Sequence, residues 1–150
     1  MDKPRRLPPL RFGLGASMLK IIYRIRRKFR VLRRRKVGRL GGPKRDYLRY
    51  KEAARALVQA KLTHFNMHYG LVWGRVAIRN QKSRWGSCSK KGNLNFNYRT
   101  IQLPEHLQDY LIVHELCHLA HMNHSRAFWS LVAQTIPNYT ACRRALHAKI

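Results

Sequence analysis

The stretch HELCHLAHMNH, residues 114–124, gathers four of the chain's eight histidines and its last acidic residue. Within it, His114, Glu115 and His118 form the pattern H-E-x-x-H. On a helix, histidines four positions apart lie about 6 Å apart along the axis and leave from one face, so both imidazoles can reach one metal ion. Glu115 is rotated about 100° from His114, which puts its carboxylate beside the metal and within reach of a water proton. A catalytic zinc usually takes three protein ligands and keeps a fourth position open. One of the four histidines is therefore surplus.

Exclusion narrows the third ligand. No Asp or Glu follows Glu115, which leaves His121, His124, Cys142 and His147. If the helix ran on, His121 would lie about 10 Å along the axis from His114, and three ligands in line fit a tetrahedron poorly. A helix ending near Met122–Asn123 solves this, because Asn tolerates the left-handed conformation that terminates helices. The chain then folds back, His124 approaches the metal from another direction, and Ser125 caps the next helix, RAFWSLVAQTI. His121 is expected outside the ligand set, as a supporting donor or a solvated side chain. The 114/118/124 spacing equals that of metzincins, but His121 stands where that pattern has Gly and no Met follows for a Met-turn.

Upstream, Pro104 and Glu105 suit the first turn of this helix. LQDYLIVHELCHLA is apolar almost all round, so the helix should be buried, and its His and Glu then need partners. Before it, RVAIRN (75–80) suits a strand. RWGSCSKKGNLNFNYRTIQL reads as a hairpin turning at Lys90–Gly92, with Leu94, Phe96 and Tyr98 on one face and the amides of Asn93, Asn95 and Asn97 on the other. Tyr47, Tyr50, Ala54, Leu57, Val58, Leu62 and Phe65 make one stripe of a long helix from Asp46 to about His68, closed by Gly70. A short last helix is expected in YTACRRALHAKI. Trp85, Phe128, Trp129 and Cys117 read as core.

GRLGGP (38–43) divides the chain into a basic arm, 1–42, and a domain, 43–150. In SMLKIIYRIRRKFRVLRRRK, Met18, Ile21, Ile22, Ile25, Phe29 and Leu32 fit an amphipathic helix, while Tyr23, Ile25, Phe29 and Val31 also fit a strand. Residues 1–45 hold 17 basic and 1 acidic side chain, against 15 and 5 in residues 46–150, within a net charge of +26. Such a field favours anionic partners, nucleic acid among them. Three scattered cysteines (Cys88, Cys117, Cys142) make no disulfide framework, which suits a reducing, cytoplasmic setting. No apolar run is long enough to span a membrane.

Two segments, QKSRWGSCSKKGNLNFNYRTIQLP (81–104) and DYLIVHELCHLAHMNHSRAFW (109–129), resemble the YgjP-like metal-dependent hydrolases, M48-like relatives of the SprT-like minimal zincins. The resemblance spans roughly residues 44–147, and the N-terminal region looks shorter than is usual in that family. It implies an α+β minimal zincin-like domain with one Zn2+ per chain, held by His114, His118 and His124, and Glu115 as catalytic base. It also implies that Ser83–Cys88 lies near the cleft. Arg84, Ser87, Cys88, Asn97 and His121 are the candidates for the substrate cleft, Arg84 as an oxyanion or phosphate partner. The expected function is a zinc metallopeptidase acting on protein or peptide. The alternatives are a UTP-type nucleotide pyrophosphatase, an activity assigned to a member of the family, and a basic nucleic-acid-associated protein with a zinc site.

Overall fold

A computed structural model describes residues 40–149. The basic segment read as helix or strand at 18–32 lies outside the described residues.

Helix α1, Lys44–Tyr69, follows the long stripe and buries Ala54, Val58 and Leu62. It ends at Gly70, whose φ of 61° and ψ of 25° form a left-handed cap with the amide donating to Asn66 O. The Asn66 amide side chain closes the same turn by bonding both polar backbone atoms of Leu71.

Three short strands make the sheet: β1, Val76–Arg79, β2, Gly86–Cys88, and β3, Leu94–Asn97. Their order is β1-β3-β2, with β1 parallel and β2 antiparallel to the central β3. The chain thus leaves β1, runs to the far edge as β2, and returns by a hairpin. That turn lies where the sequence places it: the Gly92 amide donates to Ser89 O at 2.8 Å, and Gly92 has φ 72°.

The hairpin strand is shorter than its alternation suggests. It stops at Asn97, whose Oδ1 accepts from the Arg99 amide and starts a 3-10 helix, Tyr98–Gln102. A side chain that bonds its own backbone two residues on offers the chain a turn in place of the ladder. The amide face is also uneven: Asn97 is fully buried, while Asn93 and Asn95 are half-buried.

Helix α2, Glu105–Cys117, starts one residue after Pro104 and buries nine of its 13 residues, Glu115 included. It packs against α1, β2, α3 (Arg126–Ala133) and α4 (Tyr139–His147). Lys61 of α1 pairs with Asp109 and, at 3.7 Å, with Glu105, both on α2. At the far end of α1 the Tyr69 hydroxyl donates to Leu131 O at 3.2 Å and shares a 2.6 Å hydrogen bond with Thr135. The class is α+β. No helix among the described residues is long and apolar enough to cross a membrane.

Candidate metal centre

The helix carrying H-E-x-x-H ends at Cys117, earlier than the Met122–Asn123 expected from the sequence. His118 is its C-cap, still right-handed at φ −65° and ψ −18°. One more hydrogen-bonded turn follows, in which the His121 amide donates to Cys117 O at 3.0 Å. The chain then bends at Met122 and Asn123 before Ser125, whose hydroxyl accepts from the Phe128 amide and caps α3. The early ending lets the backbone swing away from the helix axis, so His124 comes back over His114.

The three imidazoles converge. His114 Nε2 lies 3.2 Å from His118 Nε2 and 3.1 Å from His124 Nε2. All three donor atoms fall within 4.8 Å of one another, and among the described residues they form the one such cluster. Two zinc–nitrogen bonds of about 2.0–2.1 Å at a tetrahedral angle set their nitrogens about 3.3–3.4 Å apart. The two short separations are within a few tenths of an ångström of that, so the residues present fit the ion. The cluster also supplies three nitrogen donors and no fourth protein ligand, the set that leaves a position open.

Protonation agrees with this fit. Burial, then the neighbouring His118, His124 and Arg143, pushes His114 down to about 3. His124 is lowered by burial and by His118 and Arg143. Neutral imidazoles are the ligating form. His118 Nδ1 faces the His121 carbonyl at 3.0 Å, which calls for a proton on Nδ1 and leaves Nε2 bare toward the cluster. His121 thus acts through its backbone, with its side chain outside the cluster, as its spare status in the sequence implies. His114 Nδ1 is buried without a hydrogen-bond partner, so packing sets that ring. Phe128, fully buried, does much of this: it stacks on His118 at 4.5 Å and meets His114 and His124 edge-on at 5.1 and 4.9 Å.

Glu115, 5% exposed, is pushed up to about 8 by burial, with Arg84 pulling back toward the ionised form. A carboxyl poised near neutrality suits proton transfer in either direction. Its side chain lies on Gly86 of β2, where a Cβ would meet Oε1 at 2.5 Å. The WGSC segment therefore does reach the site, through a missing side chain.

A cavity of about 200 Å³ opens beside the cluster. Arg84 and Trp85 wall it from the β1–β2 segment, Tyr110 and Glu115 from α2, Trp129 from α3, and Arg143 and His147 from α4. Of the five cleft candidates, Arg84 alone lines it. Ser87 instead accepts from Asn95 at 3.4 Å. Cys88 does not line the cavity but lies close enough for the Glu115 charge to act on its thiol. Asn97 is turned into the fold, its Nδ2 donating to Gln81 O at 2.7 Å. Cys142 and His147 stay outside the three-histidine cluster.

Trp129 is half-buried and faces the cleft, which corrects its reading as core. It lies nearly parallel to His124 at 5.3 Å and to Tyr139 at 4.9 Å, with the Arg143 guanidinium 5.2 Å from its ring centre. Arg143 and Tyr110 were missed from the sequence. Tyr139, Arg143 and His147 recur at intervals of four, a helical face that could have drawn attention to α4 but not to where that face points.

The model of the YgjP-like family, metallopeptidase domain, matches residues 42–149. A solved structure, that of the metallopeptidase zymogen abylysin from Pyrococcus abyssi, is similar at a TM-score of 0.57 and 26% identity. That likeness covers 62% of this chain and 94% of the archaeal one, and it extends to the minimal zincin-like fold. No curated protein matches the chain.

Proposed function

The chain belongs to the YgjP-like metallopeptidase family, and on that premise we propose that it hydrolyses peptide bonds with one zinc ion per chain, held by His114, His118 and His124. The observation carrying this reading is the convergence of three Nε2 atoms, two of the separations being 3.1 and 3.2 Å, next to a buried carboxyl. Bound there, zinc would supply Lewis acidity, lowering the pKa of water toward about 7 and polarising a carbonyl.

The protein's own residues supply the rest. Glu115 takes the proton of the attacking water and hands it to the leaving amine, a role supported by its place in the cavity wall beside His114 and His124. The His121 carbonyl holds the His118 ring so that Nε2 faces inward. Strand β2 is the sheet edge beside Glu115, so an extended peptide can pair with its outer side and present its carbonyl to the site. The basic residues of 1–45 would add affinity for polyanions such as nucleic acid. Such binding should weaken steeply as salt rises, and a flat response would remove that reading.

Metal analysis combined with a peptide-hydrolysis screen tests the proposal. One zinc per chain is expected, with turnover abolished by Glu115→Gln and zinc retained. Undiminished turnover in that variant, or a protein that binds no zinc, overturns it.

A further inference from the structure

We propose that Arg84 and Arg143 form a carboxylate-binding wall in the cleft, which selects peptides bearing an acidic group next to the scissile bond. The inference rests on the peptidase reading for the identity of the substrate, but not for the wall itself.

Three observations carry it. The first is charge imbalance. Arg84 and Arg143 reach the same cavity from two different elements, and Glu115 is the one acidic residue among those that line it. A bound dication makes the excess larger, and a neutral peptide backbone offers nothing to offset it. A cleft of one sign with low-dielectric walls focuses its field on an anionic substrate.

The second is that neither guanidinium is used up elsewhere. Ion pairs within 4 Å among the described residues engage Asp46, Glu52, Glu105 and Asp109, and neither Arg84 nor Arg143 takes part.

The third is preorganisation. Arg143 lies over Trp129, which is itself held nearly parallel to His124 and Tyr139. A guanidinium fixed over an aromatic face keeps its planar fork available, and that fork matches a carboxylate through two parallel hydrogen bonds. The basic surface continues along α4 into an adjoining depression lined by Thr140, Arg143, Arg144 and His147.

The test uses N-acetylated, C-amidated peptides that differ only by Glu or Gln beside the scissile bond, plus the Gln peptide with a free terminal carboxylate. Binding is measured on the zinc-loaded Glu115→Gln protein, and kcat/KM on the wild type. The Glu peptide should bind about tenfold or more tightly than the amidated Gln peptide, as a charge-assisted fork contact implies. That ratio should collapse in Arg143→Gln, shrink in Arg84→Gln, and recover only in part in Arg143→Lys. An advantage confined to the free terminal carboxylate supports the same wall, with the chain end as its ligand. Equal binding of all three peptides overturns the proposal, as does tighter Arg143-dependent binding of UTP than of any peptide. A Glu preference in binding without cleavage would remove the peptidase reading and leave the wall standing. Cleavage without preference would do the reverse.

Discussion

The carboxyl group of Glu115 rests on the Cα of Gly86, so closely that a Cβ there would lie 2.5 Å from Oε1 and 2.8 Å from Cγ and Cδ. Two functional elements, the helix of the histidines and the edge strand, therefore meet there through the Glu115 side chain alone, with none from the strand. Gly86→Ala must displace the carboxyl, since the alternative is to move β2 away from β3. A misplacement of about 1 Å typically costs around a hundredfold in rate. The expected outcome is a fall of that order in kcat with zinc content unchanged, read by steady-state kinetics alongside metal analysis. Full activity in the alanine variant would show that Glu115 does not need its present position.

The histidines should separate into two classes on substitution. His124→Ala removes a donor atom from the cluster, and zinc affinity should fall more than about a hundredfold, beyond the 10–100-fold typical of supporting groups. His121→Ala leaves intact the carbonyl that faces His118 Nδ1 at 3.0 Å, so affinity should stay within about twofold. Competition against a chelator measures both. Equal losses at the two positions would place the His121 side chain on the metal after all.

Cys88 should be a sluggish thiol. Burial, then the nearby Glu115 carboxylate, raises it from 9.0 to about 11. A raised thiol pKa means less thiolate at a given pH, here roughly a hundredfold less at pH 8 than for an unperturbed group. Its alkylation rate should climb with pH until about pH 11, and Glu115→Gln should speed it by removing the second cause. Fast labelling at pH 7 would contradict this and make Cys88 a reactive group.

Much of the centre was legible because its chemistry is local. Four-residue spacing on a helix, the lack of any later carboxylate, and a capping Ser125 together single out His114, His118 and His124 without knowledge of the packing. The long stripe ending at Gly70 and the hairpin at Gly92 were legible for the same reason, each being written in consecutive residues. What escaped depends on tertiary placement. Asn97 reads as one more amide on an alternating strand, yet it bonds Gln81 O and the Arg99 amide and ends that strand. Trp129 reads as an ordinary core aromatic, and nothing in the sequence singles out Arg143. Only the docking of α3 and α4 against α2 turns them toward the cleft.

Phe128 was expected in the core and is there, but its contacts give it a second consequence. One ring touches all three imidazoles, stacked on His118 and edge-on to the other two. His114 has no hydrogen bond at Nδ1, so its orientation depends on such packing more than that of His118 does. Truncation to Ala would remove a fully buried aromatic at a cost of about 3–5 kcal/mol, enough to unfold a marginal domain and obscure the answer. Phe128→Leu keeps most of the volume while losing the flat face that fixes three rings. Zinc affinity should then drop about tenfold, as when a supporting partner of a ligand is lost, with helical content preserved by circular dichroism. Because zinc binding to the native state adds to stability, the melting temperature should fall further in the zinc-loaded protein than in the zinc-free one. An equal fall in both states, with affinity unchanged, would reduce Phe128 to a core residue and leave the imidazoles to orient themselves.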